Sequence, residues 1–276
     1  MMPDKRSLAL ITGGSSGIGL ALAKALLRDG MDICLLARDE EKLNHAKTEL
    51  SPLKIEKAQN IYTLSCDVTD YERLNAVLNQ WAQVSGIPDL VINSAGITYP
   101  GYFQELEIDI FKRLMDVNYF GTLYVIKSLI YGMIARGSGK IVNISSQAGF
   151  IGVFGYSAYS ASKYAVRGLS DVLRAELKPL GIQVSIVFPP DTQTPQLDFE
   201  APLKPIETKE IAGSSSAMTA DAVAEAIFKG VRKGRYVILP GMEGKLFYRL
   251  TNILGNLTYP IMDLMVRKAQ KKKLKQ

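Results

Sequence analysis

The chain has 276 residues, 47% apolar and 22% charged, with 23 glycines; this excludes a wholly disordered chain and allows a substantial core in one large α/β unit or two small ones. The formal charge is +6, and Arg267, Lys268, Lys271, Lys272, Lys273 and Lys275 supply all of it with no acid among them. Residues 1–266 are therefore neutral overall, which argues against nucleic acid as a partner and for a localised basic tail.

In chain order, residues 1–6 are too short and too polar for a signal peptide, so the sequence predicts a cytoplasmic chain. Strand-length apolar runs follow at 8–12, 33–37, 61–66, 90–93, 141–145, 184–188 and 236–239; most are continuous, as in strands covered on both faces. Helical patterns at 17–28, 71–84, 108–135 and 159–180 lie between them. A β-α alternation sustained to residue 239 predicts a single α/β domain, residues 1–240, on a doubly wound parallel sheet of about seven strands. Two stretches break the rhythm. Residues 189–216, rich in Pro, Thr, Asp and Glu, read as a lid or binding loop, and residues 241–276 have no place in the sheet. Cys34 and Cys66 fall in separate apolar runs and read as buried thiols; His45, in a charged helix, reads as solvated, and no metal site is expected.

The first βα turn reads Thr12-Gly-Gly-Ser-Ser-Gly-Ile-Gly19. Gly13, Gly17 and Gly19 there permit a tight turn and close approach to a pyrophosphate, with Ser15, Ser16 and Ile18 presenting donors at a helix N-terminus. At the end of the second strand a carboxylate would select NAD, but this chain has Arg38 and no acid until Asp39. A guanidinium can pair a 2′-phosphate bidentately, so NADP (NADPH) is the expected cofactor. Asp67 is placed to accept a hydrogen bond from the adenine amine, and Asn93, Ser94, Ala95 and Gly96 end the fourth strand near the cofactor.

Tyr159 and Lys163 stand four residues apart in a helical segment and share a face. Ser146 follows the preceding strand and Asn118 lies in an earlier helix. Ketone reduction needs a proton for oxygen, and a lysine charge about 4 Å from a phenol, at an effective dielectric of about 20, is worth roughly 4 kcal/mol, or about three pKa units. The expectation is a Tyr159 phenol near neutrality acting as general acid, Ser146 polarising the carbonyl, Lys163 also holding the nicotinamide ribose, and Asn118 anchoring a relay water.

Thr12 to Gly19, Asn93 to Gly96, Asn118, Ser146 and Tyr159-Ser-Ala-Ser-Lys163 occur in the order and spacing of the short-chain dehydrogenase/reductase family, which residues 7–240 resemble. The resemblance implies a Rossmann-type sheet in order 3-2-1-4-5-6-7, places Lys42, Val68, Pro189, Thr192 and Thr194 beside the cofactor, and suggests a homodimer or homotetramer through the helices at 108–135 and 159–180. Ser94 and Pro189-Pro190 depart from its commoner residues.

Within the family, 145–149, 154–156, 189–195 and 204–208 resemble 3-ketodihydrosphingosine reductases, which implies NADPH-dependent reduction of a long-chain lipid ketone. Phe150, Ile151, Phe154, Leu197 and Phe199 can supply an apolar lip for such a tail. A reductase of a β-ketoacyl thioester, steroid or xenobiotic carbonyl shares every catalytic residue, whereas a silent NADP-binding scaffold would not need the proton donor and its lysine. Between Lys245 and Arg267 lie 21 residues rich in Leu, Ile, Met, Phe and Tyr, interrupted by Arg249, Asp263 and Pro260. Interior charges disfavour a spanning helix, and the pattern reads as an interfacial segment with a basic tail, giving peripheral membrane contact.

Overall fold

The computed structural model describes residues 6–212 and 217–273. In chain order the strands are β1 Leu8–Thr12, β2 Asp32–Ala37, β3 Ile61–Ser65, β4 Leu90–Asn93, β5 Gly139–Ile144, β6 Ile182–Val187, β7 Thr192–Gln193, β8 Met218–Thr219 and β9 Val237–Ile238. Seven form one parallel sheet in the order β3-β2-β1-β4-β5-β6-β9; β7 and β8 pair separately. The expected seventh strand of the main sheet is thus β9. Its helices are α1 Gly17–Arg28, α2 Glu40–Leu50, α3 Tyr71–Ser85, α4 Ile108–Met115, α5 Gly121–Arg136, α6 Ser157–Leu177, α7 Pro195–Glu200, α8 Ile206–Ala212, α9 Ala220–Arg232, α10 Met242–Leu254 and α11 Thr258–Lys273.

Continuous apolar strands arise because both faces of the sheet are covered. Along β1, Ala9 and Ile11 join a core with Leu22, Leu26 and Ile227 of α1 and α9, while Leu8 and Leu10 join another with Leu74, Leu78 and Ile126 of α3 and α5. Cys34 is fully buried in β2, Cys66 is buried just past β3, and burial pushes both thiols up.

A polar ladder crosses the sheet into α6. Asn93 Nδ2 donates to Asn143 Oδ1 at 2.9 Å, Asn143 Nδ2 donates to Ser170 Oγ at 2.9 Å, and Ser170 Oγ donates to the Val166 carbonyl at 2.7 Å. All three side chains are nearly sealed from water, where such bonds fix geometry more sharply than apolar contact does, although Asn93 Oδ1 itself has no partner among the described residues.

Three expectations are corrected. The helix read over 108–135 is broken by a turn of π-helix, Asp116–Phe120, a wide turn that a 3.6-residue apolar pattern does not register. Residues 178–180 form a tight 3₁₀ turn around Pro179 after α6 ends, since proline lacks the N–H that would continue the helix. Residues 189–216 are not one loop: within the described part, Thr194 caps α7 with Pro195 at its first position, and α8 follows Pro205. Residues 1–5, 213–216 and 274–276, which carry the N-terminal reading, the end of the lid and part of the basic tail, lie outside the described residues.

The extension after β9 folds into α10 and α11. Phe247, Tyr248 and Met262 pack on Phe150 and Phe188, with the Tyr248 ring 5.0 Å from that of Phe150 and 5.7 Å from that of Phe188. Elsewhere on these two helices, Met242, Leu246, Leu250, Ile253, Ile261 and Leu264 are exposed to solvent. Among the described residues no helix is long and apolar enough to cross a membrane.

Candidate active site

The carboxyl ends of β1, β4, β5 and β6 carry the residues singled out above. Strand order reverses between β1 and β4, the switch point outside which sheets of this kind bind their ligands. The loop after β1 is pinned there: Thr12 Oγ1 accepts from the Ser94 and Ala95 N–H groups at 3.1 and 3.0 Å. Gly13 adopts φ +64°, and a Cβ on it would lie 3.0 Å from Ala95 backbone atoms. At Gly19 a Cβ would sit 2.3 Å from the Gly13 carbonyl oxygen, so only glycine lets α1 start this close to the turn. Ser16 precedes α1 without a side-chain cap, which leaves the first helical N–H groups for an anion. This donor set fits a dinucleotide pyrophosphate.

Arg38 and Asp67 are not independent. Arg38 Nη1 lies 3.5 Å from Asp67 Oδ2, and Asp67 Oδ1 accepts from the Thr69 N–H and hydroxyl, both at 2.9 Å. Burial alone would raise the Asp67 carboxyl, but the Thr69 bonds and the Arg38 charge hold it below its ordinary value. The expected adenine contact therefore belongs to a carboxylate that already orients Arg38. Lys42 is exposed beside Asp39, its Nζ 3.5 Å from Asp39 Oδ2. Val68 is buried with Cys66 in the core that faces α3 and α5.

The lid returns to this loop. Thr192 Oγ1 donates to the Pro190 carbonyl at 2.8 Å, the Pro189 carbonyl accepts from the Gln147 N–H at 3.2 Å, and the Thr194 methyl lies 3.1 Å from where a Gly17 Cβ would stand.

Tyr159, Ser146 and Lys163 converge above β5. Tyr159 is 9% exposed, and the Ser146 and Gln196 side chains lie close enough to its hydroxyl to favour the ionised form. Lys163 is 5% exposed; its Nζ donates to the Ile144 carbonyl at 3.0 Å and lies 5.6 Å from the Tyr159 ring centroid. Burial pushes the Lys163 amine down to about 8.

The phenol does not come near neutrality. Burial holds Tyr159 well above its ordinary value; the Ser146 side chain opposes this, the Glu200 charge adds to it, the Gln196 side chain opposes it, and Asp191 adds again. Lys163 does not offset this burial, because its amine is itself desolvated and donates to a backbone carbonyl.

The Asn118 side chain is engaged within the protein. Its Oδ1 accepts from the Ile97 N–H at 2.8 Å, and its Nδ2 donates to the Ile97 carbonyl at 3.0 Å and to Ser162 Oγ at 2.8 Å. Ser162 Oγ in turn donates to the Tyr159 carbonyl at 2.7 Å. The Asn118 side chain thus braces the loop after β4 against α6. Gly96 is pinched between Asn118 and Lys163, where a Cβ would lie 3.1 Å from Asn118 Oδ1 and 3.2 Å from Lys163 Nζ.

Sequence reasoning missed the lid's contribution. Gln196 and Glu200 sit four apart on α7. Glu200, 6% exposed, accepts from the Tyr156 hydroxyl at 3.0 Å and pairs with Lys204 at 2.8 Å. The Thr194-Pro195 helix start was the available signal. A cavity of about 600 Å³ at the opposite end of the sheet, lined in part by Leu22, Leu26, Ile227 and Val231, is remote from these groups. Among the described residues no His, Cys, Asp and Glu cluster could hold a metal ion.

A family profile described as short chain dehydrogenase matches residues 7–201. The chain is 41% identical to the 3-dehydrosphinganine reductase of Danio rerio over 243 residues, 88% of this chain and 73% of that protein. It is 40% identical to the 3-ketodihydrosphingosine reductase of Bos taurus with the same coverage. A short-chain dehydrogenase from Sphingobium yanoikuyae in complex with NADPH superposes with a TM-score of 0.76 at 28% identity, covering 93% of this chain and 95% of that one.

Proposed function

Because the chain belongs to the short chain dehydrogenase family, we propose that it is an NADPH-dependent reductase of a long-chain lipid ketone, 3-ketodihydrosphingosine, giving dihydrosphingosine. The observation that carries the reading is a buried phenol facing Ser146, with the Lys163 ammonium beside its ring, in a chain similar to the Danio rerio and Bos taurus reductases named for this reaction. NADPH, when bound, supplies the hydride.

In this reading the Ser146 hydroxyl orients the substrate oxygen, and Tyr159 delivers its proton there as negative charge develops. A pKa held above the ordinary value keeps that proton in place until an alkoxide, a stronger base than any phenolate, appears. Lys163 holds positive charge beside the phenolate that remains and contributes to the cofactor's ribose contacts. Arg38, steadied by Asp67, selects the 2′-phosphate. Tyr159→Phe is expected to abolish turnover while leaving NADPH binding intact; a panel of long-chain and short ketones, each with NADPH and NADH, tests the substrate and cofactor together. Equal turnover of short ketones would count against the lipid assignment.

The extension formed by α10 and α11 supports a peripheral membrane contact. Its Phe247, Tyr248 and Met262 lie in the core around Phe150, four residues past Ser146, while Met242, Leu246, Leu250 and Ile253, spaced at helical turns along α10, form an exposed apolar row, and Arg249, Arg267, Lys268 and Lys271 are exposed in the same extension. Each basic residue near an anionic leaflet contributes roughly 1 kcal/mol. The row would place the site's rim at the lipid surface that holds the substrate. Full-length protein should co-sediment with anionic vesicles, and Leu246→Asp with Ile253→Asp should release it; unchanged sedimentation would remove the membrane contact. Exposed Tyr131 on α5 and Tyr164 and Val172 on α6 similarly support self-association as a homodimer or homotetramer, which sedimentation velocity resolves.

A further inference from the structure

The proposed substrate carries an amine on the carbon next to its reacting carbonyl, and a protonated amine needs an acceptor beside Tyr159. The lid supplies one. Gln196, whose side chain acts on the Tyr159 hydroxyl, and Glu200 share a face of α7, and residues so spaced are about 6 Å apart at Cβ. The Tyr156 ring, whose hydroxyl donates to Glu200, lies 5.7 Å from the Tyr159 ring.

The charges around Glu200 do not balance. Lys204 bridges Glu200 at 2.8 Å and Asp191 at 3.4 Å, so two carboxylates face one ammonium. Burial would lower the Lys204 amine, but its bonds and charges with Glu200 and Asp191 hold it up and keep it charged. The net charge of this group is one negative. Both bonds to Glu200 also fall on one oxygen, Oε1. Oε2 has no hydrogen bond among the described residues, although a carboxylate oxygen can accept two and Glu200 is nine-tenths buried.

A net negative group beside the proton donor opposes the phenolate that proton transfer leaves behind. It becomes useful if the missing cation arrives with the substrate.

We propose that Glu200 determines specificity by receiving the ammonium group of an α-amino ketone on its Oε2, so that the substrate itself neutralises the lid's excess negative charge next to Tyr159. Tyr156 and Lys204 hold the carboxylate in position through Oε1. The inference rests on the ketone-reductase reading and narrows it to ketones bearing a charged neighbour.

The test compares 3-ketodihydrosphingosine with its N-acetyl derivative, which keeps the chain and ketone but carries no charge, on wild-type protein and Glu200→Gln. A hydrogen bond to a charged group contributes roughly 1.5–3 kcal/mol, or about 10- to 100-fold. Wild type should prefer the free amine in kcat/KM by about that factor, and Glu200→Gln should bring the ratio near one. A ratio unchanged in Glu200→Gln, or an equal loss on both substrates, overturns the proposal. A measurement without any variant guards against misfolding: wild-type kcat/KM for the amine should fall relative to the N-acetyl compound as pH rises through the substrate amine's own pKa, and a constant ratio overturns it. Equal turnover of both compounds by wild type refutes the role of Glu200 while leaving lipid-ketone reduction standing; turnover of neither removes the reading on which it rests.

Discussion

Lys163→Met should make the folded protein more stable while ending turnover. In the folded chain the Lys163 amine is pushed from 10.5 to about 8 by burial. At about 1.36 kcal/mol per unit, the charged form is destabilised by roughly 3 kcal/mol on folding. Methionine keeps most of the apolar stem and removes the charge. Against that gain, the Ile144 carbonyl loses its 3.0 Å donor, a loss of about 1–2 kcal/mol. The net expectation is a stabilisation of about 1–2 kcal/mol at neutral pH, or a Tm rise of roughly 2–4 °C for a chain of this size.

The pH dependence identifies the cause. Below pH 8 the lysine is charged in both the folded and unfolded chains, so the wild type bears the whole penalty. Between about 8 and 10.5 the folded chain sheds its proton first; the unfolded state then binds more protons, and wild-type stability rises with pH. The advantage of the variant should therefore shrink across that window. Urea unfolding of both proteins at pH 7 and pH 10 measures it. A variant less stable at pH 7, with a difference that does not change by pH 10, would refute a buried charged lysine.

Gly19→Ala places a Cβ 2.3 Å from the Gly13 oxygen; it should lower stability by about 1–3 kcal/mol in urea titration and weaken NADPH binding in fluorescence titration, since the turn and α1 must part. Arg38→Ala should lower the NADPH-to-NADH preference in kcat/KM by about 10- to 100-fold while NADH turnover holds, the loss of one charged pairing. Asn118→Ala removes the bonds to Ile97 and Ser162; a loss of about 1–3 kcal/mol is expected, with kcat falling more than the KM for NADPH rises.

The sheet was legible because strands buried on both faces must be apolar throughout: 8–12 and 90–93 coincide with β1 and β4. The glycine turn and the Tyr159–Lys163 spacing were legible because close approach and a shared helical face restrict residue type. Periodicity could not show the π-turn that orients Asn118, since it depends on backbone hydrogen bonding within an otherwise helical pattern. The phenol's environment was equally hidden. It depends on Glu200 and Asp191, some 30 to 40 residues further along, and on the direction of the Lys163 ammonium, neither of which spacing along α6 reveals. The outward apolar row of the C-terminal extension could be read from composition; its inner contact with Phe150 and Phe188 could not, because those partners lie in distant loops.

The ladder from Asn93 through Asn143 to Ser170 bears on manufacturing tolerance more than on strength. Apolar packing accepts small slips of a helix along a sheet, but a chain of buried amides and a hydroxyl does not, because a shift approaching one ångström breaks it. Ser170 lies two helical turns beyond Lys163 on the same rod, so the ladder acts as a locating pin: greasy contacts carry the weight, and three small polar groups decide how accurately the proton donor's helix is seated.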